Sequence, residues 1–194
     1  MHNRMDETAF IGVGGCGINM LKSWAPHLPQ EVCRIAINRD KNGLKLAGDI
    51  STVLLNRLCI INGEAKVFMP TGKKQIQASM QQQMAELTDM LDRRNNIILL
   101  AGLGGMTGTW VTQVICNHLL SIGKQVVTVL VVPFSFERKR MELAEKSLVD
   151  FDGSEHRIIC YNDILIRHLP EGTSLADGLE SMNEKAFELL KFPV

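Results

Sequence analysis

The sequence has no excess of either charge: 21 lysines and arginines stand against 21 aspartates and glutamates. It has no basic field to gather nucleic acid and no long basic run to hold a membrane surface, so neither partner is expected. Paired CxxC spacing is missing too. Cys16, Cys33, Cys59, Cys116 and Cys160 are scattered singly through apolar or glycine-rich stretches. That pattern points to reduced, mostly buried thiols and away from a disulfide framework or a metal site. No segment approaches the roughly 20 uninterrupted apolar residues of a membrane span. The opening residues MHNRMDETAFIGV have no long apolar run ending in small residues. A cytoplasmic protein is the default expectation. There is no internal repeat, low-complexity tract or obvious linker. The 194 residues, 45% apolar and 22% charged, are therefore expected to form a single domain, 1–194, with a sizeable core.

What is present is an alternation of apolar runs and amphipathic stretches. AFIGV, CRIAIN, NNIILLA, QVVTVLVVP and HRIICYND read as strands. INMLKSW, KKQIQASMQQQMAELTDMLDRR, the stretch after Trp110, FERKRMELAEKSLVDF and SLADGLESMNEKAFELLKF read as helices. His118 falls on an apolar helix face and is expected to be a satisfied core histidine. Between Lys41 and Phe68 only TVLLN and LCIIN stand out as short β-favouring pieces. Strands without polar alternation imply a sheet covered on both faces, hence a doubly wound, mostly parallel α/β fold of the Rossmann-like kind. Its functional loops should lie at the carboxyl edge.

Two glycine clusters follow strands and open helices. In GVGGCG, Gly12, Gly14 and Gly17 have GxGxxG spacing, which lets backbone N–H groups meet a phosphate at a helix N-terminus. Asp40 lies about twenty residues on, where a dinucleotide fold places its ribose acid, so an NAD-dependent oxidoreductase is a rival reading. The second cluster, LLAGLGGMTGTW, adds Thr107 and Thr109 as hydroxyl donors among Gly102, Gly104, Gly105 and Gly108. A dinucleotide fold has no use for this second loop. Two such loops on one sheet edge suggest a di- or triphosphate.

GLGGMTGT closely resembles the GGGTGTG signature of the tubulin/FtsZ family, and GVGGCGIN resembles the first phosphate loop of FtsZ. IAINRDKNGLK, VTVLVVPFSFERKR, YNDIL and SLADGLESMNE resemble further family segments in family order, from about Thr8 onward. The resemblance implies phosphate contacts, mostly through the backbone, from Gly14, Gly15, Cys16, Gly17, Gly104, Gly105, Met106, Thr107, Gly108 and Thr109. It places Asn19 beside the nucleotide and implies that Glu137 and Arg140 hold the ribose, in a loop one residue shorter than the FtsZ pattern. It implies that Asn162 and Asn183 read the base, with guanine expected and adenine the alternative. GTP or GDP, with Mg accompanying GTP, is the implied ligand. An FtsZ/tubulin-like subunit, or a second copy of the chain, is the implied protein partner.

The sequence also departs from the family. FMPTGKKQ replaces a glycine–alanine turn ending NPE, so Thr71, Gly72, Lys73 and Lys74 stand where the family senses the terminal phosphate. Leu179 replaces an aromatic ring beside the base, and Met106 and Trp110 replace small residues, so a more crowded pocket mouth is expected. The chain ends at Val194, before the family's water-activating acidic loop and C-terminal domain. The expectation is a GTP-binding accessory or regulator of a tubulin/FtsZ-type assembly, with no catalytic residue of its own. The alternatives are a GTPase completed by a partner chain and a non-hydrolysing scaffold.

Overall fold

A computed structural model describes residues 6–45, 47–55, 57–61, 64–68, 80–151 and 156–190. The apolar runs become strands β1 (Thr8–Val13), β2 (Cys33–Asn38), β3 (Ser51–Leu54), β6 (Asn96–Gly102), β7 (Gln125–Val132) and β8 (His156–Tyr161). These six form one sheet in the order β3-β2-β1-β6-β7-β8, and every pairing in it is parallel. β4 (Arg57–Ile61) and β5 (Glu64–Phe68) pair antiparallel as a separate two-stranded sheet. The helices are α1 (Gly14–Trp24), α2 (Lys41–Lys45), α3 (Gln81–Met90), α4 (Thr112–Ser121), α5 (Arg138–Leu148), α6 (Asn162–Leu165) and α7 (Leu175–Leu189). A π-helical turn, Thr107–Val111, leads into α4.

Both faces of the sheet are buried, as the unalternated strands require. Successive side chains of β1 point to opposite sides. Ala9, Ile11 and Val13 join Leu87 and Leu91 around α3 and Ile115 and Leu119 of α4 in one core layer. Phe10 joins Met20, Leu21 and Trp24 of α1 and Met182 and Ala186 of α7 in the other. After β1 the chain builds outward through β2 and β3, then crosses back to lay β6 on the other flank of β1. That reversal creates a switch point between the carboxyl ends of β1 and β6, the place where open α/β sheets receive ligands.

The doubly wound expectation holds, with local corrections. HRIICYND does not remain extended to its end, because β8 stops at Tyr161 and Asn162 starts α6. Between Lys41 and Phe68, the two β-favouring pieces contribute to β3 and β4, whereas α2 and β5 had no periodic signal. α2 is a single capped turn, in which the Asn42 N–H donates to Asp40 Oδ1 at 2.9 Å. Met80, Met84, Leu87 and Leu91 are buried, in keeping with their spacing. The beginning of that amphipathic stretch lies outside the described residues, as do Thr71 to Lys74. His118 is satisfied, with Nε2 2.9 Å from Thr88 Oγ1. Ser174 caps α7, accepting from the Asp177 N–H at 3.2 Å. Among the described residues no helix is long and apolar enough to cross a membrane.

Candidate functional site

Val13 and Ala101 are paired neighbours in the sheet, so the loops after β1 and β6 emerge side by side. Both loops obey the same local geometry. Each turns on a glycine at positive φ, Gly14 at +70° and Gly104 at +84°, a conformation that side-chain-bearing residues seldom adopt. Each then presses a second glycine against a backbone carbonyl. A Cβ on Gly17 would lie 2.0 Å from Leu100 O, and one on Gly108 would lie 2.0 Å from Gly102 O. A Cβ on Gly14 would stand 3.4 Å from the Gly108 nitrogen, so the loops also touch one another. Around Gly15 and Gly105 there is open space within 4 Å.

The helix that begins at Gly14 has no side-chain cap and no acid in its first turn. Nor does the turn that begins at Thr107. The first N–H groups of α1 have no partner within the helix, and the dipole there favours an anion. Two glycine loops, touching and uncapped, form a cradle of suitable chemistry for a di- or triphosphate.

Thr107 and Thr109 separate in role. Thr109 is fully buried, its N–H donates to Gly105 O at 2.9 Å, and its Oγ1 accepts from the Gly104 N–H at 3.0 Å. Its oxygen braces the second loop from inside. Thr107 is half-buried at the junction with Gly14. Met106 sits half-buried at the start of the π-helical turn, while Trp110 packs against the α3–α4 core layer.

On the β7 side, the PFSFE segment folds over the second loop. A Cβ on Gly104 would meet Arg140 O at 2.7 Å, so the start of α5 abuts this loop. Glu137 and Arg140 form an ion pair, and Glu137 Oε1 also accepts from the Phe134 N–H at 3.2 Å. Burial pushes the Cys16 thiol up to about 11, and the Arg140 cation partly offsets that rise. Burial likewise raises Cys116 and Cys160 to about 11, which makes all three thiols poor nucleophiles near neutrality.

At the other end, α1 and α7 enclose an open cleft of about 400 Å³ lined by Asn19, Lys22, Ser23, Leu179, Glu180 and Asn183, with Ala176 at its edge. The fully buried Trp24 donates Nε1–H to Asn183 O at 2.8 Å, and Ser23 Oγ donates to Glu180 Oε1 at 2.7 Å. These bonds fix the two helices together. Asn19 and Asn183 therefore meet in one cleft, whereas Asn162 stands apart from its lining, at the carboxyl end of β8. Sequence reasoning missed Lys22, Ser23 and Glu180, which no motif distinguishes from other helix residues. Among the described residues no group of three or more His, Cys, Asp or Glu side chains could hold a metal ion.

The family profile described as "Tubulin/FtsZ family, GTPase domain" matches residues 7–169. The chain is 30% identical over 176 residues to the cell division protein FtsZ of Buchnera aphidicola subsp. Acyrthosiphon pisum, covering 89% of this chain and 44% of that protein. It is 29% identical to the FtsZ of Wigglesworthia glossinidia brevipalpis, over 90% of this chain and 45% of that one. It thus spans about half the length of the curated relatives it matches. Among solved structures, an empty FtsZ dimer of M. jannaschii superposes with a TM-score of 0.76 at 21% identity, covering 95% of this chain and 53% of that one. CetZ1 from Haloferax volcanii, solved as a GDP-bound monomer, gives 0.74 at 20% identity, covering 95% and 59%. These two likenesses concern the fold. With the profile spanning most of the chain and the glycine loops in place, the chain belongs to the tubulin/FtsZ family.

Proposed function

We propose that this domain binds a guanine nucleotide, with its phosphates on the two glycine loops, its ribose near Glu137 and Arg140, and its base in the α1–α7 cleft. The observation that carries this reading is the pair of touching, uncapped glycine loops on adjacent strands at the switch point. Membership of a family that binds guanine nucleotides supports it. Gly14 to Gly17 and Gly104 to Gly108 would hold the phosphates through backbone N–H groups, and Asn19 and Asn183 would face the base. Mg would accompany a triphosphate through the phosphate oxygens.

The nucleotide edge also serves a protein partner in this reading: a tubulin/FtsZ-type subunit, or a second copy, whose assembly the domain regulates. Phe136 is 77% exposed and stacked on Phe134, and Ile164 is 51% exposed nearby in the chain fold, which gives this edge an apolar rim. A GTPase completed by a partner is the second reading. Among the described residues, acids at this edge are engaged: Glu137 with Arg140, Asp163 with the Ser135 N–H, Glu180 with Ser23 and Asp40 with the Asn42 N–H. A water-orienting carboxylate would then come from another chain. Denaturing the purified protein and identifying the released small molecule tests the nucleotide reading. GDP or GTP is expected; a nicotinamide dinucleotide, or no release together with no calorimetric binding of GTP or GDP, would overturn it. Phosphate release that appears only on mixing with a tubulin/FtsZ-type subunit would favour the second reading over simple regulation.

A further inference from the structure

The cleft between α1 and α7 is walled by two matched stripes of side chains. Asn19 and Ser23, four positions apart, share one face of α1, and Glu180 and Asn183, three apart, share one face of α7. The stripes meet where the buried Ser23 donates Oγ–H to Glu180 Oε1 at 2.7 Å. Nearby, the bond from Trp24 Nε1–H to Asn183 O pins the same stretch of α7 to α1. The Ser23 bond draws the Glu180 carboxylate to the α1 wall and engages Oε1, leaving Oε2 to accept in a cleft that Glu180 itself lines. Ala176 and Leu179 add an apolar wall. Apolar contact for a flat ring and an anionic acceptor for its edge therefore occur in one cleft.

We propose that Glu180 sets the base preference of this site by accepting from the N1–H and the 2-amino group of guanine, with Ser23 as the residue that positions it. The assignment rests on the guanine-nucleotide reading above, and adds a carboxylate that the family resemblance does not assign. Guanine places two donors side by side, N1–H and the 2-amino group, and an anionic acceptor is their complement. Hypoxanthine keeps N1–H but lacks the 2-amino group. Adenine has a lone pair at N1 and no donor at C2, so it would leave a carboxylate there unpaired. The Asn183 amide carries both a donor and an acceptor and can turn to suit either base, whereas a carboxylate only accepts. Of these two side chains on α7, Glu180 therefore makes the sharper distinction.

The test is the calorimetric affinity of the full chain for GTP, ATP and ITP, the hypoxanthine nucleotide, in wild type, Glu180→Ala, Glu180→Gln and Ser23→Ala, with melting curves taken without nucleotide. Wild type should bind GTP about tenfold or more tighter than ITP, as expected for a charge-assisted hydrogen bond to the 2-amino group. Glu180→Ala should weaken GTP by about tenfold to a hundredfold and ITP by less, and leave ATP no weaker, so that the preference for GTP over ITP collapses. Glu180→Gln, which keeps an acceptor but loses the charge, should fall between wild type and Glu180→Ala. Ser23→Ala, which releases the carboxylate, should reduce the same preference by a smaller factor and leave ATP unchanged. A role confined to helix docking would weaken all three nucleotides alike. Equal binding of GTP and ITP by wild type, or equal losses of GTP, ITP and ATP in Glu180→Ala, would overturn the assignment while leaving the nucleotide site standing. If the melting curve shows Glu180→Ala unfolded, Glu180→Gln decides by the same criteria. A wild type that binds none of the three nucleotides would remove the site reading and this assignment with it.

Discussion

At the glycine loops, the phosphate end of the proposed site, the working parts are backbone: glycines at positive φ or pressed on carbonyls, held by the sheet beneath them. At the α1–α7 cleft, its proposed base end, they are side chains, Asn19 and Asn183, brought together because α7 docks on α1 through the bond from Trp24 to Asn183, 159 positions apart. The first end is built into the fold, so it cannot be altered without straining the sheet and helix around it. The second is mounted on the fold and can be altered with little structural cost. Changes at the two ends should therefore fail in different ways.

The largest effect is expected at Gly17 or Gly108. Gly17→Ala places a methyl where Leu100 O already lies, and overpacking against backbone costs on the order of 3 kcal/mol. Thermal unfolding should show a melting temperature lower by roughly 10 °C, with affinity for every nucleotide reduced together. A stable Gly17→Ala protein with normal binding would break the contrast between the two ends. Asn183→Ala should do the reverse: the fold survives, while GTP binding falls by about tenfold as a hydrogen-bonding amide is lost, and preference over ATP shrinks with it. Calorimetry with both nucleotides checks this.

Trp24→Phe tests whether the base end depends on helix docking. It removes the Nε1–H donor to Asn183 O and should cost about 1 kcal/mol of stability, read from denaturant midpoints. A smaller loss of GTP affinity should accompany it. A pH dependence stands outside that ranking. The Cys16, Cys116 and Cys160 thiols rise from 9.0 to about 11 in the folded protein, chiefly through burial. Between those values the unfolded chain ionises first, so stability present below pH 9 should be lost as pH rises toward 11. A melting temperature that climbs over that interval would contradict the burial of these groups.

The same contrast explains what could be read from sequence. Strands such as CRIAIN and QVVTVLVV are legible because apolar runs of that length need two covered faces, and the loops are legible because close backbone approach requires glycine. The separate surroundings of Thr107, at the junction with Gly14, and Thr109, buried beneath the second loop, are not legible, because two threonines among loop glycines look the same in sequence. Lys22, Ser23 and Glu180 carry no local signal, since their place in the cleft depends on which helices become neighbours. Asn183 was reached through family resemblance and not through any pattern of its own.

The most direct test is a calorimetric titration of the purified chain with GTP, GDP and ATP, repeated with Gly108→Ala. Saturable binding of GTP and GDP, at least about tenfold tighter than ATP and lost in Gly108→Ala, is the expected result. Equal affinity for ATP, or guanine-nucleotide binding that survives Gly108→Ala unchanged, would contradict a guanine site built on the two glycine loops.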